Sequence, residues 1–250
     1  MNTVNLIQLE NLYLFILLAI IAEILGTIGG FGSSLFFIPI ASYFLDFHSV
    51  LGITAIFHVI SNITKIAMFR EGVDKNVLIM LGIPSIVFVI GGAYLTKFID
   101  SKILEFGLCI FLITTSVTFL YFKNLEIKPT NVNSILSGSA SGLIAGLLGT
   151  GGAIRGIALA AYNLKIEVFI ATSAIIDLGV DFSRSIVYWS NGYVHKDDLY
   201  LLPILFLVSV LGTFIGKLIL KRISQNQFRT IVLILILVTG ISTLIKIVFI

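Results

Sequence analysis

The stretch Gly26-Thr27-Ile28-Gly29-Gly30-Phe31-Gly32-Ser33-Ser34 interrupts an apolar run that begins near Leu12 and ends near Leu45. An unbroken helix over that run would be about 50 Å long, whereas the hydrocarbon core of a bilayer is only ~30 Å thick. Glycine is a poor helix former and permits positive φ, so the cluster predicts a break between two shorter helices. The run is therefore expected to form a broken helical hairpin.

A second glycine cluster follows in the sequence Gly146-Leu147-Leu148-Gly149-Thr150-Gly151-Gly152-Ala153-Ile154-Arg155-Gly156. Gly29 pairs with Gly149, and Gly32 pairs with Gly152, at the same offset of 120 residues. Broken hydrophobic segments at corresponding positions of two halves are the best indication from sequence of a transporter's substrate site.

The composition is typical of an integral membrane protein. The 250 residues are 58% hydrophobic and 12% charged, whereas soluble domains carry about 25% charged residues. The net charge of +3 is spread over short loops, and the absence of a basic run argues against a nucleic-acid partner. No HExxH or GxSxG pattern occurs, so the sequence predicts neither an enzyme nor a metal or cofactor site.

The apolar segments divide the chain into two similar halves. The first half contains segments at 12–28, 35–45, 50–69, 77–98 and 103–122, and the second contains segments at 135–148, 154–162, 168–189, 199–219 and 228–249. We predict an all-α polytopic membrane protein with one transmembrane domain, residues 1–250. Repeat 1 covers 12–122, a polar linker covers 123–134, and repeat 2 covers 135–249.

Polar residues recur on one face of the third long segment in each half. They are His58, Asn62 and Lys65 in the first half, and Asp177, Asp181 and Arg184 in the second, at an offset of 119. Each trio has the spacing i, i+4, i+7, which places its members on one side of a helix. Charges at mid-membrane are costly and usually functional.

These two faces are predicted to form a polar pathway in which Asp177 or His58 exchanges a proton. The alternative is a structural polar cluster that fixes helix packing. Lys65 and Arg184 lie near helix ends, and for each residue alone the favoured interpretation is snorkelling toward lipid headgroups.

The segments that follow the glycine breaks are suited to anion binding. The N-terminus of a helix presents unpaired N–H groups and partial positive charge, and nearby hydroxyls and a guanidinium add donors. The predicted substrate site comprises Gly29, Gly30, Gly32, Ser33, Ser34, Gly149, Thr150, Gly151, Gly152 and Arg155. The alternatives are that the glycines only permit close helix packing and that Arg155 snorkels to the interface.

These motifs resemble the sulfite exporter TauE/SafE family of bacterial membrane transporters. The resemblance rests on Gly29-Gly30-Phe31-Gly32 followed by Pro39, on Gly149-Thr150-Gly151-Gly152, and on the turn Gly72-Val73-Asp74. It implies secondary transport of a small anion, often sulfur-containing such as sulfite or a sulfonate, across the inner membrane. The second half departs from the family pattern, with Leu159 in place of a proline and with Arg155 where the pattern is mostly apolar.

The membrane topology and the transport mode stay open at this point. If each broken run forms a hairpin, the halves have five segments each and are inverted; if each broken run crosses once, the chain has eight spans. Loop charges favour the inverted model, because it places eight cations on one side and four on the other. The eight are Arg70, Lys75, Lys123, Lys128, Lys165, Lys217, Lys221 and Arg222, and the four are Lys97, Lys102, Lys196 and Lys246. A passive anion channel would use the same features as a proton-coupled carrier, and the only partners predicted are a small anion and the lipid bilayer.

Overall fold

The computed structural model describes residues 9–30, 32–122, 127–220, 222 and 225–249, and the regular structure of this part is helical throughout. Its helices are α1 (Leu9–Gly29), α2 (Ser34–Ala41), α3 (Phe47–Met68), α4 (Lys75–Phe98), α5 (Ser101–Tyr121), α6 (Asn131–Leu148), α7 (Gly152–Ala160), α8 (Ile166–Ser190), α9 (Leu201–Leu220) and α10 (Gln225–Phe249). Every predicted apolar segment therefore corresponds to one helix. Phe31, residues 123–126 of the predicted linker and Lys221 lie outside the described residues.

Local capping explains several of the helix ends. Asp46 accepts a hydrogen bond from the Ser49 N–H at the start of α3, and Asp74 and Asp100 cap α4 and α5 in the same way. Thr130 caps α6, and that helix begins at Asn131, within the stretch assigned to the polar linker.

Helix α4 contains a π-helical turn at Leu78–Gly82. Pro84 comes shortly after it, beyond Ile83, and its ring nitrogen cannot donate to a carbonyl in the preceding turn. The regular hydrogen-bond ladder is therefore interrupted at this point, which is where π turns occur. The last turn of α4, Thr96–Phe98, is a 3-10 turn.

The glycine clusters break both apolar runs, as predicted. Helix α1 is followed by Gly30 at φ +68 and Gly32 at φ +84, and α6 is followed by Gly149 at φ +77. These are left-handed conformations that glycine adopts without steric cost. The helix-ending glycines are Gly30 and Gly149, so their offset is 119, the same as for the polar trios, whereas Gly29 is still part of α1.

Five of the described helices, namely α1, α3, α4, α5 and α9, are long and apolar enough to cross a membrane. Helix α8 has 25 residues but carries Asp177, Asp181 and Arg184 in its middle. The fold thus agrees with the predicted class, an all-α membrane protein.

Small residues allow close packing between helices that are distant in sequence. Gly138, Gly142 and Gly146 lie one turn apart on α6 and face the backbone of α4. Gly212 of α9 lies against α1, where an added Cβ would be 2.7 Å from the Cβ of Glu23. These contacts place α4 beside α6, and α9 beside α1.

Helices α3 and α8 pack against each other at the centre of the bundle. Ser49 at the start of α3 contacts His195 just after α8, and Asn62 farther along α3 donates to Asp181 within α8. The Asp74 N–H, after α3, donates to Thr172 near the start of α8. The two helices therefore run antiparallel, with their polar faces together.

Candidate functional site

The two glycine breaks meet at the centre of the protein. The Ser34 hydroxyl, in the first turn of α2, donates to Thr150 Oγ1, just before α7, at 3.1 Å. Gly32, Ser34, Gly151 and Gly152 line one cavity, which we call the central cavity. The N-termini of α2 and α7 thus bring their first-turn N–H groups and the positive ends of their dipoles to one place.

Charged and polar side chains complete the wall of the central cavity. They are His58, Asn62 and Lys65 from α3, Arg155 from α7, and Asp177, Asp181 and Arg184 from α8. Both predicted trios and the predicted anion-binding arginine therefore face the same space. The cavity has room for only about one water molecule, because its charged side chains are paired with each other.

Arg155 is buried and forms an ion pair with Asp177, so the snorkelling interpretation of this residue is wrong. Its position in the first turn of α7 turns the side chain toward α8 rather than toward lipid. The Nε–H of Arg155 is buried, and it finds no acceptor among the residues that the structure describes. A ligand oxygen in the cavity could accept that hydrogen bond.

Arg184 is 1% exposed, so the snorkelling interpretation is wrong here as well. Its guanidinium lies 2.8 Å from Asp181 and donates to the carbonyl oxygens of Ala145 and Gly149. Gly149 ends α6 in the left-handed conformation, where its carbonyl is free of the helix ladder. Through this hydrogen bond to Gly149, Arg184 connects the second glycine break to α8.

Lys65 is also buried, and its partner is a carboxylate that the sequence analysis missed. Its Nζ lies 2.9 Å from Oε1 of Glu23, in the middle of α1, and 2.7 Å from Ser61 Oγ. Glu23 is 0% exposed. A carboxylate inside an apolar membrane segment is by default a functional candidate, and this rule could have found Glu23 from the sequence.

Glu23 accepts hydrogen bonds from several elements of the bundle. Besides Lys65, its donors are Ser33 at 2.5 Å, Ser61 at 2.5 Å, Thr213 at 3.1 Å and Thr27 at 3.5 Å. Hydrogen bonds to the charged form stabilise a buried carboxylate. The Ser33 hydroxyl therefore donates to Glu23 and does not line the central cavity.

His58 connects the glutamate to Arg184. Arg184 Nη2 lies 3.3 Å from Nδ1 of His58, and Ser33 Oγ lies 2.8 Å from Nε2. A guanidinium can only donate, so we assign Nδ1 as the acceptor and Nε2 as the protonated nitrogen. In this tautomer the imidazole is neutral, and Ser33 accepts from His58 and donates its own proton to Glu23.

The buried charges around the cavity balance in number. The cations are Lys65, Arg155 and Arg184, and the carboxylates are Glu23, Asp177 and Asp181. Each cation has its own carboxylate. An entering anion must therefore compete with a carboxylate for a cation, because a buried unpaired charge is strongly unfavourable.

The remaining predicted site residues lie close to the cavity but do not all line it. Gly149 lines it directly, whereas Thr150 contacts it only through Ser34. Gly30 lines a smaller adjoining cavity that shares Lys65 and Asp177 with the central one. Gly29 lies inside α1 and lines neither cavity.

Comparison with known proteins identified one family. The family model described as "Sulfite exporter TauE/SafE" matches residues 15–243. This region includes both glycine breaks and the six charged residues of the buried ion pairs described above. No curated protein and no solved structure matches the chain.

Proposed function

Because the chain belongs to the sulfite exporter TauE/SafE family, we propose that it is a secondary transporter of a small sulfur-containing anion, sulfite or a sulfonate, across the bacterial inner membrane. The family indicates an integral membrane transporter of sulfite-like anions. The observation that carries the proposal is the meeting of two helix N-termini beside Arg155 in one central cavity. Such helix ends favour anions, and arginine adds a planar fork that fits an oxyanion.

The proposed binding mode is an exchange of carboxylate for substrate on Arg155. Asp177 now holds the guanidinium of Arg155, and a sulfonate or sulfite, like a carboxylate, has anionic oxygens that can accept hydrogen bonds from a guanidinium. The anion would take the place of this carboxylate and would also accept from Ser34 and from the first N–H groups of α7. Gly151 and Gly152 allow the backbone to come close to it.

Charge balance supports protons as the coupling ions. A monoanion that enters a site with equal numbers of fixed charges leaves one negative charge in excess. Protonation of the displaced Asp177 removes that excess, so one proton would travel with each monoanion. Asp177 has two donors, Arg155 and Ser173, and Asp181 also has two, whereas Glu23 has five. Of the two aspartates, Asp177 is the one paired with the proposed anion-binding arginine, so it is the proposed proton carrier. His58 is engaged on both ring nitrogens.

Two inverted repeats, 12–122 and 135–249, are part of the proposal. Equivalent helices in inverted halves must run antiparallel, as α3 and α8 do. Helices α5 and α10 do so as well. Glu105 contacts Lys246, and Leu112, about two turns farther along α5, faces Gly240, which comes earlier in α10. The pairs α1–α9 and α3–α9 also have counterparts in α6–α4 and α8–α4. In the proposed arrangement, a pseudo-two-fold axis would relate these pairs.

Accessibility labelling tests this arrangement. In a Cys109→Ser background, we expect Lys165→Cys and Lys75→Cys to react from one side of the membrane, and Lys102→Cys to react from the other. This expectation is supported by the hydrogen bond from the Asp74 N–H to Thr172 Oγ1. It places the start of α8, which follows Lys165, near Lys75. Labelling of position 165 from the same side as position 102 would argue against inverted repeats.

A thermal-shift screen of the purified protein tests the substrate class. We expect sulfite or sulfonates to raise the Tm more than sulfate, thiosulfate or small carboxylates do. A ligand at 100 times its Kd stabilises the folded state by about 2.7 kcal/mol. Counterflow in proteoliposomes then separates the transport modes: trans-stimulation by unlabelled anion is expected of a carrier, and its absence would indicate a passive channel.

A further inference from the structure

Glu23 has a role that the proposed exchange on Arg155 does not use. We propose that Glu23 is a permanent counter-charge that withholds Lys65 from the anion, and that it thereby makes anion binding depend on a proton. This inference rests on the proposed transport function. Glu23 does not line the central cavity, so it is a positioning residue rather than a binding residue.

The first step of the argument is that Lys65 could reach the anion. Lys65 lines both the central cavity and the adjoining one, and it is 4% exposed. Its ammonium group is drawn back to Glu23 Oε1 at 2.9 Å and to Ser61 at 2.7 Å. Without the negative charge of Glu23, Lys65 would be a buried cation beside the substrate site with no carboxylate of its own.

The second step is that hydrogen-bond donors surround the carboxylate of Glu23. Its donors come from α1, from the first glycine break, from α3 and from α9, and four of them are hydroxyl groups. Protonation of the carboxylate would turn acceptors into a donor and would disrupt these bonds. The backbone of Gly212 packs closely against the Cβ and Cγ of Glu23, which restricts the rotation of the Glu23 side chain.

The third step concerns the other charges that face this group. Lys65 contacts Glu23 directly, and His58 faces it across Ser33 as a neutral hydrogen-bond donor. On the far side of the cavity α7 and α8 contribute two arginine–aspartate pairs. With Glu23 ionised the fixed charges sum to zero, and a monoanion needs a proton. With Glu23 neutralised the site carries one net positive charge, and a monoanion binds without a proton.

The test uses methanesulfonate, which stays a monoanion over the whole working pH range. Its Kd is measured by thermal shift from pH 5.5 to 8.5 on purified wild-type protein and on Glu23→Gln. For the wild type we expect the affinity to fall as pH rises, by up to about tenfold per pH unit, the limit for one linked proton. For Glu23→Gln we expect a nearly flat profile and at least about tenfold tighter binding at pH 8.

Two further variants separate charge from packing. Glu23→Gln combined with Lys65→Met restores the balance of fixed charges, so its pH profile is expected to return to the wild-type slope. Thr213→Val removes one hydrogen bond to Glu23 without changing any charge, and it is expected to keep that slope. If the double variant stayed flat, or if Glu23→Gln kept the wild-type slope, Glu23 would be only a structural residue.

Lys65→Met alone changes the net charge of the site in the opposite direction from Glu23→Gln, and this test applies even if Glu23→Gln does not fold. It leaves one excess negative charge, so binding is expected to weaken and its pH profile to steepen. An unchanged profile would overturn the inference. Failure of the wild type itself to bind methanesulfonate, or pH-independent binding by the wild type, would count against the proposed function instead.

Discussion

Replacement of Arg155 by glutamine is expected to raise the apparent KM for the transported anion about ten- to hundred-fold. The change removes a charge-assisted contact worth about 1.5 to 3 kcal/mol, and each 1.4 kcal/mol is a factor of ten. Arg155 is buried beside the N-terminus of α7, so water cannot replace its guanidinium at low cost. Initial rates of uptake into proteoliposomes over a range of anion concentrations measure the effect.

The control variants account for the ion pair with Asp177. Arg155→Gln alone leaves a buried carboxylate without its cation, which costs roughly 3 to 5 kcal/mol of stability. The double variant Arg155→Gln with Asp177→Asn avoids that cost and should show the same loss of affinity. Arg155→Lys keeps the charge without the planar fork and should fall between. An unchanged apparent KM in folded Arg155→Gln would place the anion site elsewhere.

The positions of the helices and of both breaks follow from local properties of the sequence. Hydropathy sets the ends of long apolar helices within a few residues, because few polar groups are tolerated inside them. Gly30, Gly32 and Gly149 adopt the positive φ that their clustering predicts. The shared offset of 119 between helix-ending glycines and polar trios reflects the same regularity.

The partners of the buried charges could not be predicted in this way. Lys65 and Arg184 lie near helix ends, and from that position alone snorkelling is the better expectation. The structure instead gives Lys65 a carboxylate on α1, a helix distant in sequence. Such a pairing is a property of the packed bundle, and no spacing within one helix encodes it. Glu23 has no acidic counterpart in the second half, where Gly142 lies at the offset of 119, so the internal repeat does not indicate it.

Replacement of Asp177 by asparagine is expected to separate anion binding from proton coupling. Asparagine resembles the protonated aspartic acid, and it can keep the contact with Ser173 while it gives up the charge on Arg155. The variant should bind the anion at least as tightly as the wild type. Anion accumulation driven by a pH gradient should be lost, because no carboxylate remains beside Arg155 to take up the co-transported proton. Exchange of labelled for unlabelled anion at equal pH should continue.

The matched control for this prediction is Asp181→Asn combined with Arg184→Gln, which removes a carboxylate four residues away on the same helix face but keeps the balance of fixed charges. Asp181 pairs with Arg184, which also holds the carbonyls of Ala145 and Gly149, and it accepts from Asn62. Loss of this ion pair should lower thermal stability, but it leaves the fixed charges balanced and should preserve pH-driven accumulation in the folded fraction. If Asp177→Asn retained full accumulation under a pH gradient, Asp177 would be a packing residue and the proton would have another carrier. If both variants lost exchange as well as accumulation, the two aspartates would act together in shaping the site, and Asp177 would have no separate part in coupling.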